Sequence, residues 1–257
     1  MIVDCHTHLT NETDPSEHLE GAEPVDACIV LATAGESNEE ANKLVAEYVS
    51  NHTDKMVGFA VMDPREDNVS VDGVAAVTEG LGLKGVVLYC SGSDFHPCHS
   101  RAMMLYGSVA ELGLPLFFHN GGVLGTDAIL DYAQPYLLDE VARAFGSMKI
   151  IIGSMGLPFA EQSLAMVSKH ENVYADLTVK AARVWEIYNI VLGAHERGVM
   201  DKLLFGSGFP FGKASECIET LLGFNKLLSD TNLPSVPLST IRSVIERNSL
   251  ELLGIEK

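Results

Sequence analysis

Eight apolar, β-rich runs recur along the 257 residues of the chain, and segments of helical length separate most of them. Most of the runs are nearly continuous in apolar residues, which is typical of strands buried on both faces of a parallel sheet. They cover residues 1–8, 27–33, 56–63, 84–90, 114–120, 149–156, 172–178 and 202–209. A chain of this length with eight βα units predicts a TIM-type (β/α)8 barrel of the α/β class.

The segments between the runs show helical patterning. Amphipathic segments cover residues 38–50, 100–112, 134–147, 159–170, 182–198 and 213–230, and a last helix is expected over 238–255. Residues 9–26 are acidic and leave little room for a full helix. We expect one domain over residues 1–257. A doubly wound open sheet is the alternative, but no GxGxxG motif follows the first strand.

The composition excludes several kinds of partner. The formal net charge is −18, which argues against binding to nucleic acid or docking on an anionic membrane. The first residues, MIVDCHTH, do not resemble a signal peptide, and no apolar run approaches a membrane span. The five cysteines are scattered, odd in number and without a CxxC pair. We therefore expect a soluble cytoplasmic protein without a disulfide framework.

Three histidines end two of the predicted strands. In a barrel of this type the active site lies at the carboxyl ends of the strands. His6 and His8 end the first strand and face the same side because side chains alternate along a strand. His119 ends the fifth strand. The three imidazoles are predicted to converge on one divalent metal ion, although His119 alone could be a satisfied core histidine.

Other polar residues follow the remaining strands. Asp63 is interpreted first as a turn cap. The loop after strand four carries His96 and His99, which could supply a ligand or a proton carrier or simply lie on the surface. Asp176 is polar within an apolar strand, so it needs a partner and could accept a hydrogen bond from a histidine. The residues predicted to contact substrate are Cys90, Asn120 and Ser154.

Several segments together resemble the amidohydrolase superfamily, in its amidohydrolase-related branch. IVDCHTH is similar to the opening strand of that family with its HxH metal pair, and LGLPLFFHN to its fifth strand with a third histidine ligand. NVYADLT, DKLLFGSGFP and IERNSLELLGI are similar to its strands seven and eight and its closing helix. The resemblance implies a TIM-like barrel with a mononuclear divalent metal, often zinc, held here by His6, His8 and His119. It implies hydrolysis or non-oxidative decarboxylation.

Two positions depart from the pattern of that family. The family commonly has a histidine after strand six and an aspartate in Gly-Ser-Asp-Phe-Pro after strand eight, where this chain has Ser154 and Gly208. A serine hydroxyl cannot replace imidazole as a general base near neutral pH, and glycine offers neither ligand nor base. The candidate proton acceptors are then Asp176, His96, His99 and Asp94.

Three hypotheses on function follow. The first is a metal-dependent hydrolase of a small carboxylate, lactone or amide, with zinc as the expected ion. The second is a decarboxylase of the same fold, which does not need a water nucleophile. The third is a catalytically degenerate barrel that binds a small molecule or a partner, since two site residues are lost. Arg101, Arg183 and Lys213 could pair with a substrate carboxylate, and the Trp185 region could form a homo-oligomer interface.

Overall fold

Eight parallel strands form the centre of the protein in a computed structural model that describes residues 1–35, 37–119 and 125–256. Every strand pairs in parallel with the next one along the chain, so the spatial order is the chain order, β1 to β8. The strands are β1 Val3–His8, β2 Ala27–Leu31, β3 Met56–Val61, β4 Val86–Leu88, β5 Leu116–Phe118, β6 Ile150–Ile152, β7 Val173–Thr178 and β8 Leu203–Gly206.

The sheet returns to its first strand at the end of the last one. The Gly208 N–H donates to the carbonyl of His6 at 2.8 Å, and the His8 N–H donates to the carbonyl of Phe209 at 2.9 Å. A doubly wound sheet would reverse its strand order and leave two edges. The observed order and these two bonds confirm the predicted (β/α)8 barrel.

Helices cover the outside of the sheet. They are α1 Pro15–Gly21, α2 Asn38–Ser50, α3 Val71–Val77, α4 Ser100–Glu111, α5 Asp139–Ala144, α6 Ala160–Lys169, α7 Val184–Glu196, α8 Ala214–Leu222, α9 Leu238–Ile245 and α10 Ser249–Leu252. Short 3-10 helices span Glu79–Leu81, Leu130–Ala133, Pro135–Leu138, Gly153–Gly156, Met200–Lys202 and Phe224–Leu228. None of the helices in the described ranges has the length and apolar character that crossing a membrane requires.

Local chemistry explains where the helices begin. The side chain of Ser37 accepts a hydrogen bond from the Glu40 N–H at 3.2 Å and so caps α2, which covers the predicted residues 38–50. Asp14 caps α1 in the same way, and Pro15 supplies the first helical position. The segment 9–26, expected to have little room for a full helix, therefore contains a helix of seven residues.

Several predicted elements are shorter than the sequence pattern indicated, and local structure explains two of the breaks. The sixth strand stops at Ile152, because Ser154 and Met155 adopt left-handed backbone conformations with φ of 46° and 54°. The single last helix is divided into α9 and α10, because Asn248 caps a new helix by accepting from the Glu251 N–H. Neither break disturbs the strand order.

Candidate metal centre

Strands β1 and β5 bring three imidazoles together at the carboxyl end of the barrel. His6 and His8 are buried on β1, and His119 follows β5 directly, where its N–H donates to the carbonyl of Leu88 at 2.8 Å. Their Nε2 atoms form a triangle with sides of 2.9 Å from His6 to His8, 3.1 Å from His6 to His119 and 3.2 Å from His8 to His119. The structure thus brings the three predicted ligands to one point.

The hydrogen bonds around this triangle suit a cation at its centre. The Nδ1–H of His6 donates to Oδ2 of Asp176 at 2.6 Å, and the Nδ1–H of His8 points to the carbonyl of Leu31 at 3.3 Å. With hydrogen on Nδ1, both Nε2 atoms present lone pairs to each other, which is repulsive unless a positive ion lies between them. Metal–nitrogen distances of about 2.0–2.1 Å place neighbouring ligand nitrogens roughly 3.0–3.4 Å apart, close to the observed sides.

Burial favours the neutral form of His8 and His119. It lowers the pKa of His8 to about 3, and the adjacent His6 adds to the effect. Burial also holds the pKa of His119 well below its usual range, with further contributions from His6 and His8. A neutral imidazole is the form that binds a metal. The donor set therefore fits a divalent metal ion.

Asp176 lies behind His6, on the side away from the triangle. Its Oδ2 accepts from the His6 Nδ1–H and from the Ser154 N–H, each at 2.6 Å. Its Oδ1 accepts from the Thr178 hydroxyl at 2.5 Å. The carboxylate is fully buried, and both oxygens are engaged. Asp176 therefore orients His6 in this structure, and its assigned role as a proton acceptor stays a prediction.

Two glycines at the end of strand eight, Gly206 within it and Gly208 beyond it, make room for this arrangement. A Cβ on Gly206 would lie 2.5 Å from Oδ1 of Asp176 and 2.9 Å from Cβ of His6. Gly208 has a φ of +69°, and a Cβ there would lie 2.7 Å from Cγ2 of Thr178. Close approach requires glycine at the first position, and backbone conformation favours it at the second. The sequence pattern gave no indication of the first constraint.

Two further supporting residues were missed from the sequence. Oδ1 of buried Asp4 accepts from the backbone N–H of His6 at 3.2 Å and of Ser207 at 2.9 Å, which ties β1 to β8, and burial raises its pKa to about 6. The Tyr89 ring stacks on His119 with centroids 4.6 Å apart, and its hydroxyl donates to the carbonyl of Ala32 at 3.0 Å. Asp4 holds the backbone of His6 within β1, and Tyr89 packs on His119 from the neighbouring strand.

The predicted substrate-contacting residues lie in different surroundings. The buried hydroxyl of Ser154 lies 3.3 Å from Oγ1 of Thr178, close behind His6. Cys90 is fully buried, and burial raises the pKa of its thiol well above the usual range. Asn120 lies outside the described residues. Contact of these three with a substrate stays a prediction.

The loop after strand four places its histidines apart from the triangle. Nδ1 of His99 accepts from the Arg101 N–H at 3.3 Å and caps α4, and Nδ1 of His96 accepts from the Cys98 N–H at 3.0 Å. Across the described ranges, no hydrogen bond joins either ring to the three clustered histidines. The catalytic roles assigned to His96 and His99 stay predictions.

Asp63 accepts a hydrogen bond from the Arg65 N–H at 2.8 Å, as expected for the side chain that caps this turn.

The three cations that the sequence suggested for binding a substrate carboxylate either form other contacts within the protein or are exposed to solvent. Arg101 donates to the carbonyls of Pro64 and Asp67, and the exposed Arg183 pairs with Glu186 at 3.5 Å. Lys213 is exposed before α8. None of these contacts involves the metal centre.

The fold and the site together define a class: a TIM-barrel protein with three clustered histidines, able to hold a divalent metal ion, at the carboxyl ends of its strands. A family model described as amidohydrolase matches residues 3–255. The chain belongs to this amidohydrolase family, as the resemblance implied. No match was found among curated proteins.

Solved structures share the whole fold at low sequence identity. A probable 2-pyrone-4,6-dicarboxylic acid hydrolase from Acinetobacter baumannii, with citric acid bound, has a TM-score of 0.70 and 14% identity, with 99% of each chain covered. A 2,6-dihydroxybenzoate decarboxylase from Rhizobium has a TM-score of 0.68 and 13% identity, with 98% of each chain covered. A 5-carboxyvanillate decarboxylase from Novosphingobium aromaticivorans, complexed with manganese, has a TM-score of 0.69 and 11% identity, with 99% of this chain and 96% of that chain covered.

Proposed function

We propose that the protein is a metal-dependent hydrolase acting on a small carboxylate, lactone or amide. The observation that carries the proposal is the convergence of His6, His8 and His119 within 3.2 Å of one another at the end of the barrel where TIM-barrel enzymes act. Zinc is the proposed ion, because three neutral imidazoles with an open position form a common catalytic zinc site. Five free cysteines suit a reducing compartment, and we place the enzyme in the cytoplasm.

The residues around the ligands hold them in place for catalysis. Asp176 fixes the ring of His6 through Nδ1, and Tyr89 packs on the ring of His119. A divalent ion bound at such a site supplies Lewis acidity toward a substrate oxygen or a water. The Lewis acidity of the ion depends on how its ligands are oriented. Asp176, which orients His6, therefore influences this acidity without touching the substrate.

Similar structures support a small organic acid as the substrate class. One is described as a probable dicarboxylic acid hydrolase with citric acid bound, and another as a decarboxylase of a dihydroxybenzoate. The amidohydrolase family of this chain fits both kinds of reaction. A free carboxylate on the substrate is therefore part of the proposal.

Non-oxidative decarboxylation is the second candidate, favoured by one observation. Gly208 supplies no carboxylate at the end of strand eight, and both oxygens of Asp176 are already hydrogen-bonded. Hydrolysis needs a group that takes a proton from the attacking water, whereas loss of carbon dioxide does not. The hydrolase must draw on another acceptor, for which Asp94, His96 and His99 remain the predicted candidates.

Metal content tests the core of the proposal. Protein purified without added metal is analysed by inductively coupled plasma mass spectrometry, beside His6→Ala and His119→Ala. His195→Ala, on the outer helix α7, is the matched control. We expect one divalent ion per chain in the parent and the control and none in the two variants. Failure of the parent to retain any ion after incubation with zinc or manganese would overturn the proposal.

Substrate panels then separate the two reactions. The loaded enzyme is incubated with a lactone dicarboxylate and with a dihydroxybenzoate, and ring opening and carbon dioxide release are measured separately. Ring opening that depends on His119 supports the hydrolase, and carbon dioxide release supports the decarboxylase. Metal binding without either activity across such panels would favour the degenerate, ligand-binding barrel.

A further inference from the structure

The ammonium of Lys180 is buried and has no hydrogen-bond partner among the described residues, and the residue follows β7 at the end of the barrel that carries the histidine triangle. It lies two residues after β7, whose Asp176 and Thr178 side chains both contact Nδ1 of His6. The intervening Val179 is buried, its N–H donates to the carbonyl of Gly206, and its carbonyl accepts from the Cys217 thiol of α8.

The chain after β7 keeps Lys180 close to these residues. Val179 is held to β8 by its N–H and to α8 by its carbonyl, while Asp176 and Thr178 contact His6 inside the barrel. Two residues of extended chain span at most roughly 7 Å. The lysine side chain therefore starts within one side-chain length of the residues that support His6.

The surroundings of the ammonium leave its charge uncompensated. Nζ is buried from solvent and has no hydrogen-bond partner within the part of the chain that the structure describes. Burial lowers the pKa of Lys180 and Arg183 adds to the effect, whereas Glu186 and Asp176 oppose it. The oxygens of Asp176 are taken by other donors, and Glu186 pairs with Arg183. A buried cation of this kind is unfavourable until an anion joins it.

We propose that Lys180 binds a carboxylate of the substrate beside the metal centre and so sets the specificity of the enzyme for acids. The inference rests on the proposed function, since it names the group of the substrate that the barrel mouth recognises. A carboxylate oxygen accepts from the ammonium and satisfies a donor that the protein leaves free. Arg101, Arg183 and Lys213 were the cations predicted for this task from the sequence, and Lys180 was not among them.

Binding of simple dicarboxylates tests the proposal without turnover. Isophthalate, phthalate and glutarate are titrated by calorimetry into the parent protein, Lys180→Met, Lys180→Arg and Lys213→Met. The last variant removes an exposed cation after strand eight and is the matched control. We expect at least one acid to bind the parent, at least tenfold weaker binding to Lys180→Met, partial recovery in Lys180→Arg, and unchanged binding to the control. Dimethyl isophthalate, which lacks charge, should not distinguish Lys180→Met from the parent.

Two measurements distinguish carboxylate binding by Lys180 from a purely structural role of this residue, and keep the test independent of whether the protein binds a metal. Without ligand, Lys180→Met should unfold at the same or a higher temperature than the parent, because it loses an unpaired buried charge. The titrations are repeated in His119→Ala, so that dependence on Lys180 in that background stands even if no metal-dependent activity is found. Equal affinities of the parent and Lys180→Met for all three acids, or no binding of any acid to the parent, would overturn the inference.

Discussion

Nδ1 of His6 and Oδ2 of Asp176 lie 2.6 Å apart, although 170 positions separate the two residues in the chain. This contact joins the first strand of the barrel to the seventh through the buried centre of the fold. It fixes hydrogen on Nδ1 and leaves Nε2 free to face His8 and His119. The orientation of His6 within the histidine triangle therefore depends on a carboxylate outside the triangle.

Removing the charge of Asp176 should weaken metal binding. Asp176→Asn keeps an oxygen that can accept from the His6 Nδ1–H, while its amide can donate to the Thr178 hydroxyl, so the fold should persist. Loss of such a supporting carboxylate typically lowers metal affinity about 10–100-fold. Competition with a chromophoric chelator measures the affinity. Asp139→Asn, which alters a carboxylate paired with Lys169 and His170 near the surface, is the control.

An unchanged metal affinity in Asp176→Asn would show that the orientation of His6 comes from packing alone. Circular dichroism on both variants checks that any loss of affinity is not a loss of fold.

A methyl group at Gly206 should disturb the same pair from the opposite side. In Gly206→Ala the new Cβ would lie 2.5 Å from Oδ1 of Asp176 and 2.9 Å from Cβ of His6. Overpacking of this kind typically costs about 1–3 kcal/mol of unfolding free energy, and the displaced ligand should also lower metal affinity. Urea unfolding of the metal-free protein and chelator competition measure the two effects.

Gly146→Ala is the matched control for that substitution. Gly146 is exposed, and nothing lies within 4 Å of the position its Cβ would take. Its unfolding free energy should stay within about 0.5 kcal/mol of the parent. Equal stability and metal affinity of the two alanine variants would contradict the close packing described for strand eight.

The free energy of unfolding should decrease as the pH is lowered, because of His18. Burial lowers the pKa of this imidazole from 6.5 to about 4, and its Nδ1 contacts the Tyr48 hydroxyl at 2.7 Å. Between these pH values the unfolded chain binds more protons at His18 than the folded chain does. The contribution of His18 to the free energy of unfolding is therefore fully present above about pH 6.5 and is lost as the pH falls toward 4. From pH 7.5 to 5.0 this histidine should account for a loss of about 2 kcal/mol.

His18→Gln removes the titration and retains a group that can hydrogen-bond Tyr48. Urea unfolding of both metal-free proteins at several pH values gives the two stability curves, and their difference isolates His18 because the other histidines are common to both. Parallel curves would show that His18 is not the buried neutral group described.

The fold and the ligand triangle could be predicted from the sequence because their signals are local. Continuous apolar runs with helices between them indicate parallel strands, and the spacing of His6 and His8 places both on one face. The surroundings of Asp4, Gly206 and Lys180 depend on which strands neighbour each other and on how closely they approach. Local sequence carries neither kind of information, and for that reason these residues emerged only from the three-dimensional arrangement.

The final prediction restores a carboxylate at strand eight. Gly208 has a left-handed φ of +69°, which aspartate and asparagine tolerate better than most residues, and its Cβ would meet Cγ2 of Thr178 at 2.7 Å. Thr178→Ser removes that methyl group and keeps the hydroxyl that donates to Asp176. Thr178→Ser/Gly208→Asp therefore adds a potential proton acceptor at low steric cost, and Thr178→Ser/Gly208→Asn is the uncharged match.

If the missing acceptor limits hydrolysis, the aspartate variant should open a lactone dicarboxylate at least about tenfold faster than the asparagine variant, since positioned general bases contribute this much or more. Decarboxylation of a dihydroxybenzoate should not distinguish the two, because that reaction does not require a proton to leave an attacking water. Initial rates with both substrates, on proteins loaded with the same metal, give the comparison. Equal lactone rates would show that the protein draws its proton acceptor from elsewhere in the barrel mouth and does not depend on a carboxylate at position 208.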